Sequence, residues 1–308
     1  MAELSWLVLA VVVGGLLTLD LVVFHRHAQR EGMRKAAWWS VFWVGIGLVF
    51  AVFVGFTRGS DAAFAYLTAF LIEKSLSVDN LFVFLALFTY FGIKPEFQHR
   101  VLFWGIVGAL VTRGVFIVAG VALLETFHFF LYVLGALLIA TGARLGLGEE
   151  GEVHPERNLV VRWASRVLPV ARAHHGEKFV VRLDGVLHVT PMFLALLAIE
   201  STDVMFAVDS VPAVLAVSRD VFVVYSSNIF AVLGLRALYF VLAGALQALR
   251  FLRPALALIL VLVGAKMLLA DVFDVPTALS LVVVAIILAV ATAASLLFPQ
   301  RDSKPTAP

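Results

Sequence analysis

The feature that most constrains the fold is a series of apolar runs, each close to the roughly 20 residues that a helix needs to cross a hydrocarbon core of about 30 Å. Of the 308 residues, 62% are hydrophobic and 14% are charged, whereas about 25% of a soluble domain is charged. Backbone polar groups in lipid must be satisfied within the chain, and a helix does this within each segment. The sequence therefore predicts an all-α integral membrane protein, with a single polytopic membrane domain over residues 1–308.

Nine of these runs predict nine transmembrane helices. They cover Leu4–Phe24, Trp38–Phe56, Ala62–Tyr90, Val101–Leu124, Phe127–Leu147, Thr190–Val217, Phe222–Ala245, Pro254–Ala270 and Pro276–Phe298. No basic segment precedes the first run and no small-residue cleavage site follows it. We therefore interpret it as a retained helix and not as a signal peptide.

Lys and Arg are concentrated in alternate loops. They follow the first, third, fifth, seventh and ninth runs, at Arg26, Arg30, Arg34, Lys35, Lys94, Arg100, Arg157, Arg162, Arg166, Arg172, Lys178, Arg182, Arg250, Arg253, Arg301 and Lys304. The loops on the other side carry only Arg58 and Arg219. Because cytoplasmic loops carry the excess of Lys and Arg, we expect the N-terminus outside and the C-terminus inside, in a bacterial cytoplasmic membrane.

The long loop, residues 148–189, is predicted to be cytoplasmic and basic. Within it, Glu156–Val170 places apolar residues on one helical face and arginines on the other, which is typical of an amphipathic helix resting on the membrane surface. Asp184-Gly185, between two apolar segments, predicts a β-hairpin with a type I′ turn. We expect the short polar tail, residues 299–308, to be disordered.

Three segments of the first half recur in the same order in the second half. The pairs, offset by about 123 residues, are Asp79–Phe84 with Asp203–Val208, Arg113–Gly120 with Arg236–Gly244, and Gly142–Leu145 with Gly264–Met267. The repeats, residues 61–147 and 190–271, contain three helices each, and this odd number gives the two copies opposite orientations in the membrane. Such inverted repeats are typical of secondary transporters, whose substrate sites lie near the midplane at the repeat interface.

Carboxylates lie inside the third and sixth runs, where ionisable side chains are costly and are therefore candidates for a functional site. They are Glu73, Asp79, Glu200, Asp203 and Asp209, and Asn80 and Ser210 add neighbouring neutral oxygens. These hard oxygen donors suit Mn²⁺, Mg²⁺ or Ca²⁺, and the sequence does not decide among the three. The sequence contains no cysteine, which excludes thiolate ligands and dithiol redox chemistry within it.

The spacing of Glu73 and Asp79 restricts the backbone between them. Six residues correspond to about 240° around a regular helix, so the two carboxylates would not face one ion. In an extended segment they would point to the same side. We therefore predict an unwound or kinked stretch near Ser75–Ser77, and a second kink near Pro212 in the sixth run.

An alternative interpretation is that the carboxylates only form structural ion pairs. Buried charges must be paired, and four cations in the apolar runs would offset most of the negative charge: Lys74, Arg113, Arg236 and Lys266. Such pairing does not require two acidic clusters at repeat-related positions. The sequence therefore favours an ion site with these cations as surrounding counter-charges, where protons compete with a divalent cation.

The two acidic segments also carry a family resemblance. Glu73-Lys-Ser-Leu-Ser-Val-Asp-Asn80 and Glu200-Ser-Thr-Asp-Val-Met-Phe-Ala-Val-Asp-Ser-Val-Pro212 resemble the signatures of the TerC family of integral membrane proteins, within the LysE transporter superfamily. The resemblance implies nine membrane helices and export of Mn²⁺ from the cytoplasm, as in the Alx-like members, and the family name implies tellurium resistance. Carried over, the metal-site candidates are Glu73, Asp79, Asn80, Glu200, Asp203, Asp209 and Ser210.

We therefore expect a secondary transporter that exports a divalent metal ion, manganese(II) first, with proton exchange left open as its coupling. The sequence has no phosphate-binding loop of the ATPase type, and we expect neither an enzyme, nor a permanently bound cofactor, nor a nucleic-acid partner. The expected partners are the metal ion, the lipid bilayer and proteins that bind the basic loop.

Two alternatives come from other functional classes. One is a membrane scaffold in a metal or tellurite stress response, without transport activity of its own. The other is a membrane hydrolase whose carboxylates activate water on a metal. The apolar runs offer no nucleophile or histidine base for the hydrolase, which makes it the weaker alternative.

Overall fold

The computed structural model describes residues 2–25, 33–127, 129–147, 158–171, 176–183, 185–245, 251–272 and 275–297. Within these ranges, the side chains of residues 2, 22–25, 33, 78, 79, 82, 242–245, 253 and 296 lie outside the description. The predicted disordered tail, the part of the basic loop that precedes residue 158, and Asp184 of the predicted turn also lie outside it.

The described residues form eleven helices and two strands. In chain order these are α1 Ala2–His25, α2 Met33–Arg58, α3 Ser60–Tyr90, α4 Pro95–Thr126, α5 Phe130–Leu147, α6 Leu159–Val167, β1 Val180–Leu183, β2 Val186–Val189, α7 Pro191–Leu215, α8 Val221–Leu233, α9 Leu235–Ala245, α10 Leu252–Leu268 and α11 Thr277–Leu297.

Seven helical segments in the described part of the chain are long and apolar enough to cross a membrane. They are Glu3–Leu21, Arg34–Arg58, Pro95–Thr126, Phe130–Leu147, Pro191–Leu215, Val221–Val241 and Thr277–Ser295. The third predicted run forms α3, which carries charges in its middle, and the eighth forms the shorter apolar helix Pro254–Leu268. The protein is therefore mostly helical and membrane-embedded, as predicted, while nine crossings and their orientation stay predictions.

Local residues determine where several helices begin. Pro95 and Pro191 stand in the first turns of α4 and α7, where a missing N–H costs nothing because that group has no partner within the helix. Asp220 caps α8, since its side chain accepts hydrogen bonds from the backbone N–H groups of Phe222 and Val223. Asp220 also forms an ion pair with Arg58 at the end of α2, which joins the two helix ends.

The prediction of a break near Ser75–Ser77 is wrong, because α3 is continuous from Ser60 to Tyr90. The hydroxyl of Ser75 donates to the carbonyl of Leu71 at 2.6 Å, and that of Ser77 donates to the carbonyl of Glu73 at 2.7 Å. Serines in apolar helices can satisfy their hydroxyls on the preceding turn in this way. On this unbroken helix, the backbone positions of Glu73 and Asp79 remain about 240° apart.

The seventh predicted span is interrupted at one residue only, Gly234, whose backbone stays in the right-handed helical region (φ −82°, ψ −1°) and whose carbonyl accepts from the Leu238 N–H at 3.1 Å. α8 ends at Leu233, Gly234 follows outside regular helix, and α9 begins at Leu235. A methyl group on Gly234 would come within 2.6 Å of Lys74 Nζ and 2.9 Å of Trp43 Cβ. Glycine at this position therefore lets α2 and α3 approach the interruption closely. Pro212, where a kink was predicted, lies inside α7 in its last turn.

α3 lies at the centre of the packing, where it contacts α2, α7, α8 and α11. α4 packs on α7 and α8, and α5 packs along α10. Glycines allow the close approach of α5 and α10, since a methyl group on Gly142 would come within 2.7 Å of the Ala257 carbonyl oxygen. One on Gly264 would come within 2.6 Å of the Gly135 carbonyl oxygen.

The long loop packs on α7. In α6, the side chains of Val161 and Ala164 are buried, and Ala164 clusters with Val189 and Leu194. β1 and β2 pair antiparallel at the position of the predicted hairpin, with Gly185 at a φ of 83°. α6 is thus docked along the first half of α7, a contact that its amphipathic pattern alone did not predict.

Candidate ion site

Arg113 of α4 is the centre of a buried group of charges. Its Nη2 and Nε donate to the two carboxylate oxygens of Asp203 in α7, at 2.9 and 3.2 Å. Its Nη1 forms an ion pair with Glu73 of α3. The exposed fractions of Arg113, Glu73 and Asp203 are 0%, 1% and 2%. Three helices therefore meet at one guanidinium, whose planar fork matches a carboxylate with two parallel hydrogen bonds.

The charges in this group do not cancel. One guanidinium faces two carboxylates, so the three side chains carry a net negative charge when all are ionised. Glu73 Oε2 has no hydrogen-bond partner among the described residues. Removing charges from water costs several kcal/mol per ion unless they are compensated. An uncompensated oxygen at this depth is therefore suited to a cation.

Glu200 lies one helical turn before Asp203 on α7. Its carboxylate occupies the space next to Gly108 of α4 where a side chain would otherwise stand. Glu200 is half-buried, and it is close enough to Asp203 for their negative charges to repel each other. None of the described residues forms a hydrogen bond or an ion pair with its carboxylate. Among the predicted carboxylates whose side chains the structure describes, Glu200 is thus the one most open to a new ligand.

Asp209 belongs to a different environment. It accepts a hydrogen bond of 3.0 Å from the Thr141 hydroxyl of α5 and lies in the field of Arg144. It stands six residues after Asp203 on a continuous helix, and so faces a different side. The structure therefore does not place Asp209 with Glu73 and Asp203.

Two predicted candidates follow Glu73 on α3. Asn80 is buried. The backbone of Asp79 is helical, but its side chain lies outside the described residues. Since the predicted break is absent, no extended segment brings Glu73 and Asp79 to the same side of α3.

Neutral oxygens without partners lie in the surrounding helices. Within the described part of the chain, Ser210 Oγ, Asn228 Oδ1 and the Tyr66 hydroxyl are buried without a hydrogen bond. Asn228 lies on α8 between Tyr225, whose hydroxyl donates to the Leu110 carbonyl of α4, and Ala231, whose carbonyl accepts from Lys74 of α3. This register places Asn228 on the side of α8 that faces α3 and α4.

The four predicted counter-charges have different roles. Arg113 contacts two of the carboxylates directly, and so is part of the site instead of surrounding it. Lys74 Nζ donates to the Ala231 carbonyl at 3.0 Å, near the C-terminal end of α8, where a cation is favoured by the helix dipole. Lys266 donates to the Ser280 hydroxyl at 3.0 Å. For Glu73 and Asp203, the alternative of ion pairing is therefore partly correct.

Arg236 pairs with a carboxylate that lies outside the two acidic segments and was not among the predicted site residues. Its Nη2 donates to Asp20 Oδ1 at 2.8 Å and to the Asp20 backbone carbonyl at 3.1 Å. Asp20 lies in α1, and both side chains are buried. The signal was available in the sequence, because Asp20 is an ionisable residue within the first apolar run.

The described residues contain no cluster of three or more histidine, aspartate or glutamate side chains able to hold a metal ion. A divalent cation between Glu73 and Asp203 would therefore need neutral oxygens as additional ligands, or a movement of Arg113 away from one carboxylate. Hard cations accept carboxylate, carbonyl and hydroxyl oxygens together.

Comparison with known proteins places this chain among membrane proteins. The model of the Integral membrane protein TerC family matches residues 58–303. "Uncharacterized membrane protein STKORF319" of Myxococcus xanthus is 44% identical over 282 residues, which cover 92% of this chain and 88% of the relative. "Putative membrane-bound redox modulator Alx" of Escherichia coli K12 is 44% identical over 290 residues, 91% of this chain and 90% of the relative. An uncharacterized membrane protein of Rickettsia bellii is 36% identical over 280 residues, 91% and 93%. No solved structure matches the chain.

Proposed function

This chain belongs to the TerC family of integral membrane proteins, and we propose that it is a secondary transporter that exports a divalent metal ion. Manganese(II) is the proposed ion, and the bacterial cytoplasmic membrane is the proposed location. The observation that carries the proposal is the buried group of Arg113, Glu73 and Asp203, with its surplus negative charge. Ionisable groups at membrane depth are rare and mark ion pathways.

In the proposed site, the Arg113 guanidinium and the transported ion compete for the same carboxylate oxygens. When the site holds no metal, the guanidinium compensates the two carboxylates. A divalent cation that enters past the half-buried Glu200 would take carboxylate oxygens from Arg113. Protons would neutralise the same oxygens, which would link metal release to proton uptake. This exchange between guanidinium, metal and proton is the chemistry that the three buried groups support best.

Helix packing supports the inverted repeat on which transport would depend. Applying the offset of 122 residues between Gly142 and Gly264 to Gly135 leads to Ala257. Gly135 of the first repeat is therefore equivalent to Ala257 of the second, and Gly142 is equivalent to Gly264. If the two repeats are exchanged, the contact of Gly135 with Gly264 corresponds to the contact of Ala257 with Gly142. Both contacts are present. Equivalent contacts on both sides of α5 and α10 are expected if a pseudo-two-fold axis in the membrane plane relates the repeats.

In the proposed membrane arrangement, nine spans cross the bilayer. They correspond to α1, α2, α3, α4, α5, α7, α8 with α9, α10 and α11. The positive-inside rule places the basic loop before α7 in the cytoplasm. Glu200, in the first half of α7, then lies on the cytoplasmic side of Asp203, which suits an exporter that takes its ion from the cytoplasm.

Manganese content of cells tests the proposal. A strain that lacks its own manganese exporter and expresses this chain should hold less manganese than the strain with an empty vector, and Glu200→Gln should abolish the difference. Repeating the assay with Ca²⁺, Mg²⁺ and Zn²⁺ at two external pH values tests ion selectivity and proton coupling. Equal manganese content with and without the chain would contradict the proposal.

A second candidate function is a membrane scaffold. The observation that favours it is the outer face of α6, where Leu159, Trp163 and Val167 are exposed. Arg162 and Arg166 stand beside them in the same helix. The name of the E. coli relative refers to redox modulation, and the absence of cysteine from this sequence leaves no dithiol to carry that activity here. A scaffold would show no metal flux when the chain is reconstituted alone.

A further inference from the structure

The buried pair of Asp20 and Arg236 forms no hydrogen bond or ion pair with Arg113, Glu73 or Asp203. The exposed fractions of the two residues are 4% and 2%, and the carboxylate of α1 meets the guanidinium of α9 with an N–O distance of 2.8 Å. Arg236 also binds the backbone carbonyl of Asp20. A charge pair at this depth costs desolvation energy that a pair of apolar side chains would avoid. A pair that costs stability in this way is expected to have a role other than stabilising the fold.

The pair lies directly beside the interruption of the seventh span. Arg236 is two residues after Gly234, where α8 and α9 are separated. On the other side of Gly234, Lys74 donates to the Ala231 carbonyl. Two cations thus lie on either side of the interruption. Lys74 reaches it from α3, and Arg236 of α9 is paired with Asp20 of α1. Because Gly234 keeps a helical backbone and its carbonyl bonds to the Leu238 N–H, a displacement of α9 would be passed on to α8.

α8 in turn contacts the helices that carry the proposed ion site. The Tyr225 hydroxyl donates to the Leu110 carbonyl of α4 at 3.2 Å, one turn before Arg113. Lys74, the residue after Glu73 on α3, is held by the last turn of α8. A shift of α8 would therefore change the position of Arg113 relative to Glu73.

We propose that Asp20 is a positioning residue for the proposed transport: its pair with Arg236 fixes α9, and through the interruption α8, relative to the group of Arg113, Glu73 and Asp203. This inference rests on the proposed function. It assigns to α1 a role in transport although Asp20 forms no hydrogen bond or ion pair with Arg113, Glu73 or Asp203.

Transport kinetics test this role in proteoliposomes that contain purified chain. Asp20→Asn should lower the maximal Mn²⁺ export rate about tenfold, because a small misplacement of reacting groups can cost that much or more. The half-saturating Mn²⁺ concentration should change less than about twofold, because no ligand is lost. Asp20→Glu should keep most of the rate. Asp20→Asn with Arg236→Gln should fold better than either single variant, because neither charge of the pair is then left facing an uncharged side chain, but should still export slowly.

Asp61→Asn is the matched control, since Asp61 is an exposed aspartate at the start of α3. It should export at the rate of the unaltered chain. A rate for Asp20→Asn equal to that control would overturn the proposal. So would a large rise in the half-saturating Mn²⁺ concentration at an unchanged maximal rate, because Asp20 would then act as a ligand.

Hydrogen exchange separates a failure of this inference from a failure of the proposed function. In detergent, without metal, backbone amides of residues 229–241 should exchange about tenfold faster in Asp20→Asn than in the unaltered chain, since their local opening is no longer opposed by the pair. If the unaltered chain transports no metal, the proposed function is contradicted. The exchange measurement then still tests whether Asp20 fixes α8 and α9. Unchanged exchange of residues 229–241 would contradict the positioning role whatever the chain transports.

Discussion

Arg113 and Asp203 are joined by two hydrogen bonds, from Nε and Nη2 of the guanidinium to the two oxygens of the carboxylate, in the buried interface between α4 and α7. The same guanidinium contacts Glu73 on α3. This relationship makes Arg113 the charge that holds three helices together. It also makes the Arg113 guanidinium the group that a transported cation would have to displace.

Replacing Asp203 by Asn should abolish metal export and destabilise the protein. The amide keeps the size of the side chain but removes the charge that faces Arg113, and breaking a buried ion pair by changing one partner costs about 3–5 kcal/mol. Thermal unfolding in detergent should therefore show a lower midpoint than for the exposed control Asp61→Asn. An unchanged midpoint would mean that the pair contributes little to folding.

Replacing Gly108 by Ala should impair export through Glu200. The added methyl group would occupy the position of the Glu200 carboxylate and would force it away from α4. Gly45→Ala is the control, because a methyl group there meets nothing within 4 Å and alanine is favoured over glycine in a helix by about 1 kcal/mol. Export by Gly108→Ala at the rate of Gly45→Ala would show that the position of Glu200 is unimportant.

Replacing Gly264 by Ala should separate α5 from α10. The methyl group would come within 2.6 Å of the Gly135 carbonyl oxygen, a backbone atom that moves only with its helix, and overpacking of this kind costs about 1–3 kcal/mol. The yield of folded protein after detergent extraction should fall relative to Gly45→Ala. Equal yields would argue that the two helices separate easily, and would weaken the packing argument for the repeat.

The sequence alone predicted a helical membrane protein and the charged residues of the buried group, but it assigned Arg113 to the surrounding counter-charges and not to the centre of the site. Apolar runs of the right length predicted helices at each position, and charges within those runs identified Arg113, Glu73 and Asp203. The family assignment from the two acidic segments is likewise confirmed by the match over residues 58–303. These features are local, since they depend on residue type and spacing within one segment.

Features that depend on contacts between segments were not predictable in the same way. The break expected near Ser75–Ser77 is absent, since α3 is continuous there and both serine hydroxyls bond to carbonyls of the preceding turn. The break was expected only on the assumption that Glu73 and Asp79 face one ion. The close approach of Gly234 to Lys74 and Trp43, which are distant in sequence, was not predictable from the seventh run alone. The separation of Asp209 from Asp203 follows from their spacing of six residues on a continuous helix, whereas the contact of Asp209 with Thr141 of α5 joins two segments and was not predictable from that spacing.

Metal flux through proteoliposomes that contain only this chain tests the central claim most directly. Vesicles loaded with a fluorescent Mn²⁺ indicator should take up Mn²⁺ when the unaltered chain is present, and vesicles with Asp203→Asn or with no protein should not. Uptake that is equal in all three preparations would contradict the account, and the buried group of Arg113, Glu73 and Asp203 would then be a structural ion-pair network.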